Sequence, residues 1–165
     1  MLLLFIVGGF CEFLKPKGDE DMQVVEKAYG YITRKHEGYL QVLVFEQNST
    51  GSSVQVPKGT IEEGETPLEA IAREMFEETG LTDLIVQELI AQDYYEHYSG
   101  ALHKRYFYHL TTEETRDAWQ HNPTGMNEKG LQFSLYWVND PREVLLAKGH
   151  GDYLYRLLEK VNSRS

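Results

Sequence analysis

The sequence predicts one mixed α/β domain in which helices cover a β-sheet. Its 165 residues suit a single hydrophobic core. Segments rich in β-branched and aromatic residues recur along the chain and are strand candidates. Two further segments carry apolar residues at helical spacing, one near the middle of the chain and one at its end.

Strand candidates dominate the stretch before the first helix. Residues 24–33 and 39–46 are predicted strands, joined by a turn at 34–38. A loop of Asn, Ser, Thr and Gly follows at 48–53, and residues 54–56 are predicted to form a short strand that ends at Pro57.

The clearest helix begins after Thr66. Thr66 supplies a hydroxyl cap, Pro67 stands at the first helical position, and Glu69 follows three residues after the cap. Gly80 supplies the stop signal. The residues predicted to form its apolar face are Leu68, Ile71, Ala72, Met75 and Thr79.

The second half of the chain predicts further strands and two helices. Residues 85–98 and 102–110 are predicted to form a hairpin around Ser99 and Gly100. Residues 111–129 read as a polar insertion, and 133–138 as another strand. Asp140 is predicted to cap a short helix. The final helix carries Leu154, Leu157, Leu158 and Val161 on one face.

The N-terminal residues 1–21 are predicted to be an extension or linker, and residues 22–165 the single domain. The apolar run at 1–7 is far shorter than the roughly 20 residues that span a bilayer. It also lacks the basic start of a signal peptide. Two alternatives stay open: an extra edge strand, and a native protein that begins at Met22.

Charge and cysteine content narrow the function classes. The formal net charge of -10 disfavours long nucleic acids and anionic membrane surfaces as partners. A small anionic substrate then requires a bound cation or a local basic patch. Cys11 is the single cysteine, which excludes an intrachain disulfide and a Cys-based zinc site. The same scarcity favours a cytoplasmic protein.

Three glutamates stand out on the predicted helix. Glu74, Glu77 and Glu78 are three and four residues apart and project from one side, which the periodicity turns away from the apolar face. Like charges at this spacing cost roughly 0.2–0.5 kcal/mol per pair, and a bound cation reverses the sign of that term. Carboxylate oxygens favour Mg²⁺, with Mn²⁺ as a substitute, over Zn²⁺. Taken alone, the three glutamates are also typical of a solvated helix face.

The residues around these glutamates resemble the complete Nudix box. Its pattern is Gly59, five residues, Glu65, seven residues, Arg73-Glu74-Met75, one residue, Glu77-Glu78, one residue, Gly80-Leu81. Seven identities and two apolar positions match without a gap. Since an average residue type fills about 7% of positions, seven chance identities arise on the order of 10⁻⁸ per starting point. The chain is therefore identified as resembling the Nudix hydrolase superfamily, which includes MutT-like enzymes.

The resemblance implies a fold and a reaction. The fold is a Nudix-type α/β/α sandwich with a mixed β-sheet and a loop–helix–loop catalytic box. The reaction is Mg²⁺-dependent hydrolysis of a phosphoanhydride bond in a nucleoside diphosphate linked to another group. The substrate would be a small nucleotide-type molecule such as a dinucleoside polyphosphate or a nucleoside triphosphate. A non-catalytic nucleotide sensor is the alternative, and a homodimer is an open possibility.

The resemblance also implies roles by position. Glu74, Glu77, Glu78 and Gly59 would hold the metal, and Glu77 or Glu78 would orient or deprotonate the attacking water. Arg73 and Glu65 would hold the box loop against the helix, which Gly80 ends. A further base from outside the box is expected. The candidates for it are Glu128, and behind it Glu113 and Glu114.

Substrate contacts are predicted from the residues around the box. Lys58 directly precedes the box and is placed to reach a phosphate. The hairpin is rich in Tyr, His, Lys and Arg, and such residues stack bases and bind phosphates. From it we select Arg105 and Tyr94 as substrate contacts. The alternative is that these hairpin residues pack within the sheet.

Overall fold

The computed structural model describes residues 23–125 and 130–163. The predicted extension at 1–21 and the candidate base Glu128 lie outside the described residues. A mixed sheet has one helix packed on each face, and the predicted α/β/α sandwich is thereby confirmed. Within the described ranges, no helix has the length and apolar content needed to cross a bilayer.

The elements follow one another in the order strand, strand, strand, helix, four strands, helix. The strands are β1 (Val24–His36), β2 (Tyr39–Gln47), β3 (Lys58–Thr60), β4 (Ile85–Glu96), β5 (Leu102–Thr111), β6 (Ala118–His121) and β7 (Phe133–Val138). The helices are α1 (Pro67–Thr79) and α2 (Leu154–Asn162), with a 3₁₀ turn at Pro141–Glu143 that Asp140 caps as predicted.

The strands of the described residues lie in the order β4-β5-β1-β2-β7-β6, and β3 pairs with β1 beside β2. The β1–β5 pair is parallel and the other pairs are antiparallel. The start of the Nudix box lies in the sheet itself, because β3 contains Gly59 and pairs with the first half of β1. The rest of the box crosses to α1 on one face.

Alternate residues of β1 point to opposite faces and so build two cores. Ala28 and Ile32 pack under α1, together with Ile71 and Met75 of that helix. On the opposite face, two tyrosines of β1, Tyr29 and Tyr31, pack with Val42, Val44, Leu154 and Leu157, the last two from α2. Central strands that are buried on both faces explain why this sequence lacks clean apolar–polar alternation there.

Two strand predictions are wrong. Residues 54–56 form only isolated bridges, Phe45 with Gln55 and Val54 with Leu146, and the short strand lies instead at Lys58–Thr60. The predicted polar insertion at 111–129 contains β6, which pairs with β7 along its whole length. Its polar composition conceals it because β6 is an edge strand whose residues are exposed or only half-buried.

The predicted apolar face of α1 also needs correction. Ile71, Met75 and Thr79 are buried as expected, but Leu68 is 54% exposed and Ala72 is exposed. Since α1 contacts β1 and β3, the buried side of the helix is rotated toward those strands. The side of the helix that carries the glutamates is partly buried as well.

Candidate active site

Helix α1 begins with the predicted capping box. The Thr66 hydroxyl oxygen accepts a hydrogen bond from the Glu69 amide at 3.2 Å. The Glu69 carboxylate in turn accepts one from the Thr66 amide at 2.8 Å. Gly80 ends the helix in the left-handed conformation with φ 74°. Local sequence therefore fixes the turn of helix on which the glutamates stand.

The end of α1 is also held from β6, which the sequence did not reveal. The indole nitrogen of Trp119 donates to the carbonyl of Thr79 at 2.9 Å. The Nε2 of His121 lies 2.8 Å from the Glu77 carbonyl, which can only accept, so that nitrogen donates. These bonds satisfy carbonyl groups that every helix leaves open at its end.

The three glutamates surround one cleft but differ in burial. Glu74 and Glu78 are only 8% and 6% exposed, whereas Glu77 is half-buried. Glu74 and Glu78 are buried because β3 lies against the side of α1 that carries the glutamates. A solvated helix face, the alternative for the three glutamates taken alone, is excluded for Glu74 and Glu78 by the same burial.

Gly59 of β3 lies directly against Glu74. A Cβ atom built at Gly59 would lie 1.7 Å from Cδ of Glu74 and 1.9 Å from its Oε2. No side chain larger than hydrogen fits there while the Glu74 carboxylate keeps its position. Glycine is therefore required by the close approach of strand and carboxylate.

Arg73 connects the box loop to the glutamates. Its Nε and Nη2 donate to the two carboxylate oxygens of Glu65, each at 2.8 Å, which is the predicted contact between loop and helix. Nη1 donates to Glu74 at 2.8 Å and to Glu77 at 3.2 Å. The hydrogen bond to Glu65, and after it the one to Glu74, raises the pKa of Arg73. The hydrogen bond from Arg73 lowers the pKa of Glu65. Arg73 therefore remains a cation that positions two glutamates.

The donor set fits a hard divalent cation, although the carboxylates are turned to other partners here. In the described part of the chain, no three acidic, His or Cys side chains converge closely enough to bind a metal ion. Glu74 and Glu77 accept from Arg73, and Glu78 accepts from the Lys58 amide at 2.8 Å. Carboxylate oxygens beside a glycine that admits them are the ligands that Mg²⁺ and Mn²⁺ prefer.

The cleft has a volume of about 380 Å³ and carries both signs of charge. The acidic wall comes from α1, and Lys27 of β1 and Lys58 of β3 supply cations to the lining. Burial lowers the pKa of Lys27, an effect that Glu74 and Glu78 oppose. Burial, and then the neighbouring Lys27, lowers the pKa of Lys58. The sequence pointed to Lys58 but not to Lys27, whose place beside the box depends on the pairing of β1 with β3.

Arg105 and Tyr94 do not line this cleft. Arg105 is 2% exposed, and its guanidinium donates to Asp93 at 2.8 Å and to Asp152 at 2.9 Å. The prediction that Arg105 contacts substrate is replaced by a buried ion-pair role, since its donors are directed to these carboxylates. Tyr94 is 60% exposed on β4 and lies outside the cleft lining.

The remaining base candidates lie outside the cleft lining as well. Glu114 follows β5 and accepts a hydrogen bond from the Arg116 side chain at 2.6 Å. Its pKa is lowered to about 2, first by that bond. Neither Glu113 nor Glu114 is among the residues that line the cleft. Within the described ranges, carboxylates from outside the box therefore contribute nothing to its walls.

Comparison with known proteins places this geometry in a family. An RNA pyrophosphohydrolase from Psychrobacter sp. (strain PRwf-1) is 51% identical over 57 residues, which are 34% of this chain and 32% of that protein. The crystal structure of a C. elegans Ap4A hydrolase binary complex is similar with TM-score 0.66 and 19% identity, covering 84% of this chain and 98% of that one. The NUDIX domain of Shewanella oneidensis NrtR, complexed with ADP ribose, has TM-score 0.60 and 15% identity, covering 90% and 94%.

These likenesses differ in what they support. At 19% and 15% identity, the two structures support the fold. The chain matches about a third of the length of the Psychrobacter RNA pyrophosphohydrolase. The family model described as NUDIX domain, however, matches residues 26–152, which contain every strand but the first residues of β1 and the whole glutamate-bearing box. The chain belongs to the NUDIX domain family.

Proposed function

We propose that the protein hydrolyses a phosphoanhydride bond in a nucleoside diphosphate linked to another group, with Mg²⁺ as its cofactor. The observation that carries the proposal is the cleft in which Glu74 and Glu78 are buried, Glu77 is accessible, and two lysines complete the lining. Buried carboxylates at this density are costly unless a cation is bound. Family membership and the similarity to an RNA pyrophosphohydrolase and an Ap4A hydrolase support the same reaction class.

Each residue of the box has a part in this proposal. Glu74, Glu77 and Glu78 would hold Mg²⁺ beside Gly59, and the bound cation would neutralise phosphate charge and acidify a water molecule. Arg73 orients Glu74 and Glu77, while Glu65 fixes Arg73.

We assign the water-orienting role to Glu77. Its side chain is 23% exposed, against 11% for Glu74, and Glu78 is the most buried residue of the three. Its hydrogen bond with Arg73, at 3.2 Å, is also longer than that of Glu74 at 2.8 Å. A carboxylate that reaches the cleft is placed to accept a proton from attacking water. Lys58, which also lines the cleft, would bind a phosphate oxygen of the substrate.

The substrate is proposed at class level. A dinucleoside polyphosphate or a nucleoside triphosphate fits an open cleft of mixed charge, and a triphosphorylated RNA end has the same reacting group. A long duplex is disfavoured because the net charge is -10. The single cysteine also fits action in a reducing cytoplasm. A homodimer, which the sequence leaves open, can be tested by light scattering.

The test is a substrate panel with Mg²⁺ and Mn²⁺, comparing wild type with Glu77→Gln. The panel comprises ADP-ribose, dATP, diadenosine tetraphosphate and a 5′-triphosphorylated oligonucleotide. Glu77→Gln is expected to lower kcat at least about a hundredfold with an unchanged melting temperature, because the lost charge acts mainly in the transition state. Glu63→Gln makes the same chemical change on an exposed loop residue outside the cleft and serves as the matched control.

Two outcomes would contradict the proposal. Turnover by Glu77→Gln at the wild-type rate would remove Glu77 from the reaction. Tight binding of a nucleotide by the wild-type protein, without turnover of any member of the panel, would assign the chain as a nucleotide sensor instead. Intact Glu74, Glu77 and Glu78 argue against the sensor, because a binding module does not need three ligands for a catalytic cation.

A further inference from the structure

Two lysines, Lys27 and Lys58, lie in the lining of the cleft. Lys27 pairs with Thr60 and Lys58 with Tyr29 in the β1–β3 register, so both side chains leave the same face of the sheet. The Nζ of Lys27 donates to the Thr60 hydroxyl at 2.6 Å. The Nζ of Lys58 lies 5.7 Å from the centroid of the Tyr29 ring. A neutral group therefore contacts each ammonium group directly, while Glu74 and Glu78 act on Lys27, and Glu78 on Lys58, through their charge.

Neither lysine forms an ion pair within the part of the chain that the structure describes. By contrast, Lys104 pairs with Glu26 and Lys160 with Glu88. Lys27 and Lys58 are both half-buried. Two partly desolvated cations at close range repel each other, and an anion with two or more charges relieves that repulsion. A phosphate group has this charge and accepts several hydrogen bonds at once.

We propose that Lys27 and Lys58 form a phosphate-binding subsite for a phosphate group beyond the scissile diphosphate, so that the preferred substrates carry at least three phosphates in a row. This rests on the proposed function, which makes the cleft a phosphate-binding site. The glutamates would be neutralised by their cation, and that cation would hold the diphosphate that is cleaved. With the charges of Glu74 and Glu78 neutralised in this way, the two lysines would carry positive charge that a molecule with only two phosphates does not offset.

The subsite narrows the substrate class. Nucleoside triphosphates, dinucleoside polyphosphates and triphosphorylated RNA ends possess the additional phosphate, whereas nucleotide sugars and ADP-ribose do not. Lys27 is the decisive residue, because Thr60 fixes its ammonium group and because its position opposite β3 places it against the cleft.

The test measures binding rather than turnover. Wild type and Lys27→Met are titrated calorimetrically, with Mg²⁺ present, with the imido analogues of pyrophosphate and tripolyphosphate, which resist hydrolysis. The measured quantity is the dissociation constant of the pyrophosphate analogue divided by that of the tripolyphosphate analogue, so a preference for the longer chain gives a ratio above one. Wild type is expected to prefer the longer chain. Lys27→Met is expected to lower that ratio by about tenfold, the low end of what one charge-assisted hydrogen bond contributes.

Two further variants keep the test decisive. Lys35→Met removes an exposed lysine at the far end of the same strand and should leave the ratio at its wild-type value. Thr60→Val removes the hydroxyl that holds Lys27 and should lower the ratio about two- to fivefold. This second variant carries the test if Lys27→Met fails to fold.

The outcomes separate this subsite from the proposed function. A wild-type protein with no preference for the longer analogue, or a ratio unaffected by Lys27→Met and Thr60→Val, overturns the subsite. If either of these results is found in a protein that hydrolyses nucleotides, the subsite is wrong but the proposed function is retained. A Lys27-dependent preference in a protein that hydrolyses nothing retains the subsite and overturns the enzymatic proposal.

Discussion

Gly59→Ala tests how closely the Glu74 carboxylate must be held. The new Cβ would lie 1.7 Å from Cδ of Glu74, whereas ordinary contact begins near 3.4 Å. The carboxylate would therefore have to move by about 2 Å. That movement breaks the 2.8 Å hydrogen bond with Arg73 and displaces a proposed metal ligand.

The expected loss can be estimated from this displacement. A misplacement of about 1 Å in a reacting geometry costs on the order of a hundredfold in rate. We therefore expect Gly59→Ala to lower kcat/KM at least about a hundredfold, and to raise the Mg²⁺ concentration needed for half-maximal rate about tenfold. The φ of Gly59 lies outside the left-handed region, so alanine adds no backbone strain. Local overpacking should cost about 1–3 kcal/mol of stability, which leaves the protein folded.

The assay is a Mg²⁺ titration of turnover combined with thermal unfolding followed by circular dichroism. Gly151→Ala is the matched control, because its Cβ would lie 3.2 Å from Leu146 Cδ1 and outside the cleft. If Gly59→Ala keeps turnover and Mg²⁺ dependence within about threefold of Gly151→Ala, Glu74 does not need its observed position and the reasoning is refuted.

Three further predictions test the supporting structure. Arg105→Met should lower the free energy of unfolding by about 2–3 kcal/mol in urea titrations, since the half-buried Asp93 then loses the buried guanidinium that pairs with it; an unchanged stability together with a higher KM would instead make Arg105 a substrate contact. Burial lowers the pKa of His150 from 6.5 to about 3, so between about pH 6.5 and pH 3 this histidine binds a proton in the unfolded chain but not in the folded chain. Stability should then fall by up to about 1.4 kcal/mol per pH unit as the pH drops. His150→Asn should lose this component in urea titrations at several pH values, and equal slopes would contradict it. His121→Ala should cost about 1 kcal/mol and speed amide exchange in the last turn of α1, because the Glu77 carbonyl loses a donor; unchanged exchange would show that the bond contributes nothing.

Helix α1 was predictable because its boundaries are encoded locally. Thr66, Pro67 and Glu69 specify its start and Gly80 its end, and the observed helix begins and ends where they indicate. The composition of the glutamate cluster was equally predictable, since the box is one contiguous stretch of chain. Short-range hydrogen bonds fix the start and the end of the helix. The box itself supplies the glutamates, so neither prediction required knowledge of distant contacts.

The burial of that helix was not predictable from its own residues. Periodicity placed Leu68 on the buried face, yet it is exposed, while Glu74 and Glu78 are buried. The deciding contact is with β3, whose Gly59 lets the Glu74 carboxylate approach the strand. Apolar periodicity assumes that carboxylates stay in water, and the two glutamates buried beside this cleft violate that assumption.

Other contacts depend on pairing between distant segments. Trp119 and Thr79, which share a hydrogen bond, are 40 residues apart, and Lys27 and Thr60 are 33 residues apart. Nothing in the sequence around β6 indicates that it supports the end of α1, because its composition is that of an exposed loop. Lys27 likewise lies in a strand without any motif. Only the register of β1 against β3 brings it to the cleft.

An acidic protein that binds a polyanion needs local charge to oppose its overall field. With a net charge of -10, the chain as a whole repels nucleotides. The glutamates of the cleft increase that repulsion, which a bound divalent cation would reverse, whereas Lys27 and Lys58 would attract phosphate without a cation. Under the two proposals, the glutamates and the lysines would therefore act on different parts of a phosphate chain. Removing the cation should abolish hydrolysis yet leave part of the Lys27-dependent affinity for tripolyphosphate, a separation that a single undivided phosphate site could not produce.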